Sequence, residues 1–401
     1  MLVPQHSSLR SEYQAVIVGG GCQGMALAYN LAREGFSDVA VFDRNYLGSG
    51  ATGRNAGAVR NTYGSAAWIR FFDASTKLWS SLSDELHWEV MFSPRGHLLV
   101  ALREETVDLF RECVARQNKF GVRSRLLDAK EVQEMEPALT PRTQGAIFEP
   151  SGGVVRHDAV LWAYAAAAAK LGVEIHSQTA VTGILTKGGR VVGVETSRGK
   201  VRTNRVVNAA GAHCDAVGRM VGVELPVNVQ SFEKLVTESY KPTVHRVVVS
   251  RDTKVSLSQT ARGEFVAGST EVTGKVGLRS TYGFMKVSAR KILELFPRFA
   301  DVAVLRQWTG LIDMTPDHAP LLGEVPEVEG FFLNCGWGGH GLSAAPAAGK
   351  LLARWVLYGE RSPLIEPFDV ARLKSGRMAS DSLLTVREPG KDPHDLPVSR
   401  G

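Results

Sequence analysis

The hydrophobic pattern near the N-terminus predicts a strand, a tight turn, a helix and a second strand in immediate succession. Residues 15–18 are an unbroken apolar run, and a glycine-rich turn follows directly. Apolar and small residues continue through 25–32, which is typical of a buried helix, and 39–43 is a second apolar run that ends in an acid. This order is typical of a dinucleotide-binding βαβ unit.

Each glycine of this first turn, and the acid after the second strand, suits a role in holding a nucleotide. Gly19 allows the tight turn, Gly21 lets the backbone approach a pyrophosphate, and Gly24 lets the helix pack closely on the strand. The helix N-terminus offers free N–H groups and the positive end of its dipole to the phosphates. Asp43 can accept hydrogen bonds from a ribose diol. A glycine triplet alone is a weak signal, but with both strands, the helix and the acid it favours nucleotide binding.

Further along the chain, a glycine- and serine-rich stretch at 47–57 predicts a loop that approaches a cofactor closely. A second strand–glycine–helix unit stands at 331–357, and alternating segments within 217–320 predict an antiparallel sheet. The polar, proline-containing end at 376–401 predicts a tail. The remaining predicted elements are helices at 65–90, 104–120, 128–135, 158–170 and 284–296, strands at 96–102, 172–175 and 205–212, and a meander at 181–207.

Composition narrows the class of protein. The 401 residues are enough for two interleaved domains, and 44% hydrophobic with 22% charged residues is ordinary for a globular enzyme. The net charge of +6 comes from scattered basic residues, so nucleic-acid binding is not indicated. No apolar stretch approaches the ~20 residues needed to cross a bilayer, and residues 1–12 lack a secretory signal. The four cysteines are dispersed without metal-ligand spacing, which predicts a cytoplasmic protein with no metal site.

Three small-residue turns occur together in this chain: the N-terminal glycine turn, the turn that ends 205–212, and the glycine turn at 336–341. Together they resemble the FAD-dependent amine and D-amino-acid oxidoreductase superfamily. The resemblance implies an α/β plus α+β fold, in which an inserted antiparallel β-sheet forms a substrate domain beside a Rossmann-like FAD-binding domain of the glutathione-reductase/D-amino-acid-oxidase type. It assigns the FAD-binding domain to 1–75, 150–215 and 325–375, the substrate domain to 76–149 and 216–324, and a C-terminal tail to 376–401.

Four shorter stretches resemble, more closely, the β subunits of heterotetrameric sarcosine oxidases. They are 59–63, 152–165, 305–317 and 334–338, within a resemblance that covers about 13–375. This resemblance implies that FAD oxidises the C–N bond of a sarcosine-like secondary-amine amino acid to an imine. It also implies that electrons pass to an FMN at the interface with an α subunit, and that smaller γ and δ subunits complete the complex.

The resemblance also implies roles for individual residues. Arg60 matches the arginine expected to pair with the substrate carboxylate, and His157, in an Arg-His-Asp motif, matches the histidine that bonds covalently to FMN. From the residues alone, Arg60 can also be a phosphate-facing or structural arginine, and His157 a polar residue at a helix start. Gly310 stands where monomeric members of the superfamily carry a cysteine bonded to FAD, which predicts that FAD is held non-covalently.

The chain departs from the family pattern at one position of the substrate site. Sarcosine-specific members carry a lysine after the C-terminal glycine turn, where this chain has Ser343. His340 is the nearby residue that can take the place of the lysine, by favouring the neutral form of the substrate amine. The departure keeps two alternative substrate classes open, opines of the octopine and nopaline type and D-hydroxyproline, which relatives with the same architecture oxidise.

Three other classes of protein share parts of these signals: a subunit that binds FAD without turnover, a pyridine-nucleotide dehydrogenase and a self-sufficient monomeric oxidase. Asp43 permits NAD, but the central and C-terminal turns are of the flavin type, and the His157 motif implies a partner chain. The predicted catalytic residues are Arg60, His340 and Ser343. The predicted cofactor-binding residues are Gly19, Gly21, Gly24, Asp43, Arg44, Ser49, Ala51, Arg54, Asn55, His157, Ala210, Gly211, Gly338, Gly339 and Gly341.

Overall fold

The predicted βαβ unit forms at the N-terminus of the chain. The structure is a computed structural model that describes residues 3–4, 6, 8–270 and 276–384. Strand β1 is Ala15–Val18, helix α1 is Cys22–Arg33 and strand β2 is Val39–Phe42. Every residue of both strands is buried, and the strands pair in parallel, as expected for strands that are covered on both faces.

The other predicted elements form in the predicted order, with one predicted helix divided in two, whereas the strands at 58–59, 125–128, 145–149 and 153–154 and the helix at 214–219 were not predicted. The predicted helix at 65–90 breaks after residue 79, where the Ser80 hydroxyl donates to the Lys77 carbonyl and competes with helix continuation. Within the described residues the other α-helices are α2 (Ala66–Trp79), α3 (Leu82–Leu86), α4 (Glu104–Lys119), α5 (Ala129–Met135), α6 (His157–Lys170), α7 (Cys214–Arg219), α8 (Tyr282–Leu295) and α9 (Gly341–Tyr358). The other strands of the described residues are β3 (Ala58–Val59), β4 (His97–Ala101), β5 (Arg125–Asp128), β6 (Gly145–Glu149), β7 (Gly153–Val154), β8 (Glu174–His176), β9 (Val181–Lys187), β10 (Arg190–Thr196), β11 (Gly199–Arg202), β12 (Val206–Asn208), β13 (Asn228–Ser239), β14 (Val247–Ser250), β15 (Val255–Gln259), β16 (Glu264–Ser269), β17 (Val304–Met314), β18 (Leu321–Glu324) and β19 (Phe331–Cys335).

A six-stranded sheet in the order β18-β19-β12-β1-β2-β8 contains the βαβ unit. All its pairs are parallel except the edge pair of β18 with β19. Helices α6 and α9 both pack against α1, and α9 comes so close that a Cβ on Gly349 would lie 2.7 Å from the backbone of Ala26. The sheet is assembled from three distant parts of the chain, which confirms the predicted α/β class, whereas the domain boundaries stay a prediction.

A second sheet, of eight strands in the order β17-β13-β16-β15-β14-β4-β6-β5, provides the inserted layer. Most of its pairs are antiparallel as predicted, but β14 runs parallel to β4. These two strands lie far apart in the chain, so no hairpin fixes their relative direction. Strands β9, β10 and β11 form the predicted meander, and β3 pairs with β7 in a two-stranded ribbon.

The first part of the predicted C-terminal tail packs against α2. The indole of Trp68 donates to the Ala379 carbonyl at 2.6 Å, and the buried Asp381 carboxylate accepts from the backbone N–H groups of Gly64 and Ser65 at 2.8 and 2.7 Å. Residues 385–401 of the predicted tail lie outside the described residues. In the part of the chain that the structure describes, no helix is both long and apolar enough to cross a membrane.

Candidate functional site

A large cavity of about 2620 Å³ lies between the carboxyl ends of the parallel strands and one face of the eight-stranded sheet. This edge of a parallel sheet is where open α/β folds bind their ligands. Of the predicted site residues, only Gly24, His157 and Ser343 are not among those that line the cavity. The residues that line it are Gly19, Gly21, Asp43, Arg44, Ser49, Ala51, Arg54, Asn55, Arg60, Ala210, Gly211, Gly338, Gly339, His340 and Gly341.

The N-terminal glycine turn has the close approaches that its spacing predicts. Gly19 has a φ of +118°, and a Cβ there would lie 2.4 Å from the Ala209 carbonyl oxygen. A Cβ on Gly24 would lie 2.0 Å from the Gly19 carbonyl oxygen, so only glycine allows α1 to begin here. The N–H groups at the helix start are not all free, because Cys22 N donates to the Thr52 hydroxyl at 3.0 Å. The sequence did not single out Thr52, since an ordinary loop threonine carries no distinguishing pattern.

Asp43 uses both carboxylate oxygens to shape the turn around the end of β2. Oδ2 accepts from Gly20 N and Oδ1 accepts from Asn45 N, each at 2.8 Å. Because a carboxylate oxygen has more than one lone pair, both oxygens keep the capacity to accept from a ribose diol. The neighbouring Arg44 donates to His213 Nε2 at 2.6 Å, and burial together with the Arg44 charge lowers the pKa of His213. His213 directly follows the small-residue turn at 209–212. It was not predicted as a site residue, because no sequence motif marks it.

The loop between β2 and β3 is folded around Arg54, at the end of a 3-10 turn that spans Ala51–Arg54. The Arg54 guanidinium donates to the carbonyls of Ser49 and Thr309 at 3.2 and 3.4 Å. A Cβ on Gly310 would lie 3.2 Å from the Arg54 Cβ, so the two segments are in close contact. Asn55 Oδ1 accepts from Gly57 N at 2.6 Å. Arg54 therefore holds the loop against β17, Asn55 closes a turn within the loop, and both line the cavity.

The C-terminal glycine turn is fixed by a buried carboxylate on β17. Asp313 Oδ2 accepts from Gly336 N at 2.6 Å, and the Asp313 carbonyl accepts from Gly338 N at 3.2 Å. Burial raises the pKa of Asp313 to about 6. Gly338 and Gly339 have φ values of +55° and +90°, which other residues rarely adopt. The turn leads into α9, whose first N–H groups have no intrahelical acceptor, and Gly341 and Leu342 at this end of the helix line the cavity. The sequence did not single out Asp313.

Arg60 and His340 form a hydrogen-bonded pair on the cavity wall. Arg60 donates to His340 Nε2 at 2.9 Å, while His340 Nδ1 lies 3.1 Å from the Trp337 carbonyl. A carbonyl can only accept, so Nδ1 carries the proton and Nε2 presents its lone pair to Arg60. Burial and the Arg60 charge lower the pKa of His340 to about 3, and the ring is therefore neutral. The rings of Tyr63, Trp68 and Phe72 surround it at centroid distances of 5.8, 5.4 and 6.3 Å.

Ser343, which stands where the family lysine is expected, is turned towards the protein. Its hydroxyl accepts from Arg60 N at 3.3 Å, and its carbonyl accepts from the Ser75 hydroxyl at 2.7 Å and the Trp79 indole at 3.0 Å. Its side chain is buried and is not among the groups that line the cavity. This position therefore supplies no positive charge to the cavity, and Ser343 fixes the backbone that carries Arg60.

His157 begins α6 outside the cavity. The ring is partly buried, and that burial lowers its pKa, so the imidazole is neutral near pH 7. Arg156 and Asp158 on either side of it form an ion pair, with Arg156 Nε 3.0 Å from Asp158 Oδ1, which leaves the His157 nitrogens unused by its neighbours. Among the described residues, no cluster of histidine, cysteine or acidic side chains has the arrangement of a metal site.

Comparisons with known proteins agree with this geometry. Residues 14–355 match the family model of FAD-dependent oxidoreductases, DAO. The sarcosine oxidase β subunit of Rhodobacter capsulatus is 35% identical over 381 residues, covering 93% of this chain and 92% of that protein. The sarcosine oxidase β subunit of an Arthrobacter species is 33% identical, covering 95% and 97%. The solved structure of L-proline dehydrogenase from P. horikoshii has a TM-score of 0.88 at 28% identity and covers 92% of this chain and 100% of that one.

Proposed function

Because this chain belongs to the FAD-dependent oxidoreductase (DAO) family, we propose that it oxidises the C–N bond of a secondary-amine amino acid to an imine, as the β subunit of a sarcosine oxidase-like complex. The similarity to sarcosine oxidase β subunits over most of the chain supports this activity. The observation that carries the proposal is the Arg60–His340 pair, which places a cation on the cavity wall beside the C-terminal glycine turn. FAD, when bound, accepts the hydride equivalent that leaves the substrate.

The residues that would hold FAD non-covalently are those of the cavity wall. The glycine turn at 19–24 forms a cradle, in which Gly19 and Gly24 allow close packing of strand, turn and helix. Gly21 lines the cavity at the start of α1, where the N–H groups of the helix suit a pyrophosphate. Asp43 offers oxygens to a ribose, and the loop around Arg54 borders the same cavity. The N–H groups at the start of α9 can stabilise negative charge that develops beside them during the transfer.

Arg60 is the residue that binds the substrate carboxylate. One guanidinium nitrogen is held by His340, and the remaining N–H groups can pair with both oxygens of a carboxylate. The guanidinium also lies over the Tyr63 ring, 5.1 Å from its centroid, which restricts its orientation. His340 acts through Arg60 as a positioning residue. Since its lone pair is already used and it stays neutral, it does not serve as a base, and the substrate amine has to arrive unprotonated.

A second class of substrate is also a candidate. The family lysine is missing, and Ser343 is buried against Arg60 instead of facing the cavity. This departure from sarcosine-specific relatives favours a larger secondary amine, of the opine or D-hydroxyproline type, as the alternative substrate.

Anaerobic reduction of the bound flavin tests the proposed function. The full chain, purified with its native partners, would be mixed without oxygen with sarcosine, octopine, nopaline and D-hydroxyproline in turn, and the flavin absorbance followed. We expect at least one of these amines to bleach the flavin, and the fastest one identifies the substrate. If none of them bleaches it although FAD is bound, oxidation of these amines by this chain is ruled out.

We further propose that His157 carries an FMN at the interface with an α subunit, as its motif implies. The neutral, partly buried imidazole supports this, because only an unprotonated ring nitrogen can form a bond to a flavin. After acid precipitation and a denaturing gel, we expect flavin fluorescence on the band of this chain and none for the His157→Ala variant. His245→Ala, at an exposed histidine, serves as the matched control and should stay fluorescent. A dark band for the native chain would show that His157 is structural.

The proposed partners are the α subunit and smaller γ and δ subunits, in the cytoplasm. The relatives' description as β subunits supports a multi-subunit assembly. All four cysteines are free and buried, which supports a reducing compartment.

A further inference from the structure

One lysine on the cavity face of the eight-stranded sheet takes no part in the proposed catalytic site. Lys234 lies on β13, where the alternate residues Gln230, Phe232 and Lys234 line the cavity. Its ammonium group donates to the Ser256 hydroxyl on β15 at 2.6 Å, and no carboxylate of the described residues forms an ion pair with it. Burial lowers its pKa to about 8. The half-buried side chain lines the cavity and has no counter-charge among the described residues, so its ammonium group is available to pair with an anionic ligand there.

The Lys234 side chain extends away from the loops that border the cofactor cradle. On one side of β13 lies β17, where Trp308 and Gly310 contact Arg54. Lys234 instead crosses β16 on the other side, where a Cβ on Gly268 would lie 3.3 Å from the Lys234 Cδ. Because Gly268 has no side chain, the ammonium group reaches β15, on the far side of β16 from β13. A ligand other than the cofactor is therefore the suitable partner.

Arg60 lies near β4, on the same face of the eight-stranded sheet as Lys234 but on the other side of β14. Its neighbour Thr62 hydrogen-bonds through Oγ1 to His97 Nδ1, at the start of β4, at 2.9 Å. Between β4 and β15 lies β14, which turns Val247 and Val249 to the cavity. Neighbouring strands are about 4.8 Å apart, so β4 and β15 are separated by about 10 Å. The cavity thus has a cation on either side of an apolar strip.

We propose that Lys234 and Ser256 form a subsite for a second carboxylate of the substrate, so that the preferred substrate is a secondary-amine amino acid that carries another carboxylate on its carbon chain. Lys234 donates to one carboxylate oxygen, and the Ser256 hydroxyl, which accepts from Lys234, has its own hydrogen left to donate to the carboxylate. Arg60 binds the first carboxylate, and the chain between the two lies over the β14 valines. The assignment of Arg60, and hence the substrate class, rests on the proposed function.

Binding of simple acids to the FAD-loaded full chain tests the subsite independently of turnover. Glutarate carries two carboxylates and valerate, of the same chain length, carries one; each would be titrated against the flavin absorbance. We expect glutarate to bind about 10- to 100-fold more tightly than valerate. Lys234→Met, which keeps the unbranched stem, should abolish this preference, and Lys234→Arg should keep most of it. Lys187→Met, at an exposed lysine on β9, is the matched control and should retain the full preference.

Measurements of amine oxidation then distinguish a failure of the subsite from a failure of the proposed function. With N-methylglutamate and its side-chain amide, the ratio of the two kcat/KM values should favour the diacid by about 10- to 100-fold and should approach one in Lys234→Met. Equal binding of glutarate and valerate to the native chain, or a preference that survives in a folded, FAD-loaded Lys234→Met, would overturn the subsite. If no amine reduces the flavin, but Lys234→Met still removes the preference for glutarate, the proposed function fails and the anion subsite stands.

Discussion

Replacing Arg60 by methionine is expected to lower kcat/KM for the oxidised amino acid by about 100- to 1,000-fold, chiefly through a higher KM. The substrate carboxylate would lose its charged, two-pronged partner, and such a loss costs about 3–4 kcal/mol. Methionine keeps an apolar stem against the Tyr63 ring, so packing on that side is maintained. Steady-state kinetics on the FAD-loaded variant measures the effect.

Two conservative variants show whether the geometry or the charge of the guanidinium is responsible for binding the substrate carboxylate. Arg60→Lys keeps the charge but has no planar fork, so we expect it to recover only part of the loss. His340→Gln keeps a hydrogen-bond acceptor near Arg60 but lacks the ring that Tyr63, Trp68 and Phe72 surround. We expect a higher KM there, with the pH dependence still following the substrate amine. An unchanged KM in Arg60→Met with full FAD content would rule out Arg60 as the carboxylate anchor.

Replacing Arg372 by methionine is expected to lower the free energy of unfolding by about 3–5 kcal/mol, because it leaves a buried carboxylate without its partner. Arg372 and Asp317 are both almost fully buried, and two guanidinium nitrogens donate to the two Asp317 oxygens at 2.9 and 3.0 Å. Arg372 also donates to the carbonyls of Pro320 and Phe368. The pair thus ties the segment before β18 to the chain that follows α9.

Denaturant unfolding followed by fluorescence measures this loss of stability. Arg377 is an exposed neighbour, and Arg377→Met is the control, which should change the free energy of unfolding by less than about 0.5 kcal/mol. Burial alone would raise the pKa of Asp317, but its hydrogen bonds and the Arg372 charge outweigh burial and lower it. The stability from this pair is therefore present above the unfolded-state pKa and disappears as the pH falls through the lower folded-state value. The difference between native chain and variant should narrow below about pH 4. A difference of under 1 kcal/mol at neutral pH would contradict the prediction.

The parts of the fold that follow a local rule could be predicted from the sequence. The βαβ unit was predictable because apolar runs, glycine spacing and the final acid all lie within 15–43, and each has its own steric reason. The C-terminal turn at 336–341 was predictable for the same reason. One part of the lining of the cavity comes from these two turns, since both follow strands of the same sheet.

The rest depended on contacts between residues far apart in the chain. The tautomer and charge of His340 follow from Arg60 and Trp337 together, and the burial of Ser343 follows from its contacts with Arg60, Ser75 and Trp79. The parallel pairing of β14 with β4 is likewise set by how two distant segments of the chain meet. Lys234 carried no sequence signal, because a lysine in an alternating strand is usually exposed to water.

The order of the strands in the central sheet also determines at what stage of its synthesis the chain can bind a cofactor. Strand β1 pairs with β2 on one side but with β12 on the other, and β12 in turn pairs with β19. On the ribosome, one edge of β1 therefore stays open until β12 has emerged, and the glycine turn beyond β19 arrives later still. Because the predicted cofactor-binding turns follow β1 and β19, we expect the cofactor to be captured only after β19 has been translated, and the open edge of β1 to be exposed to mispairing until β12 pairs with it.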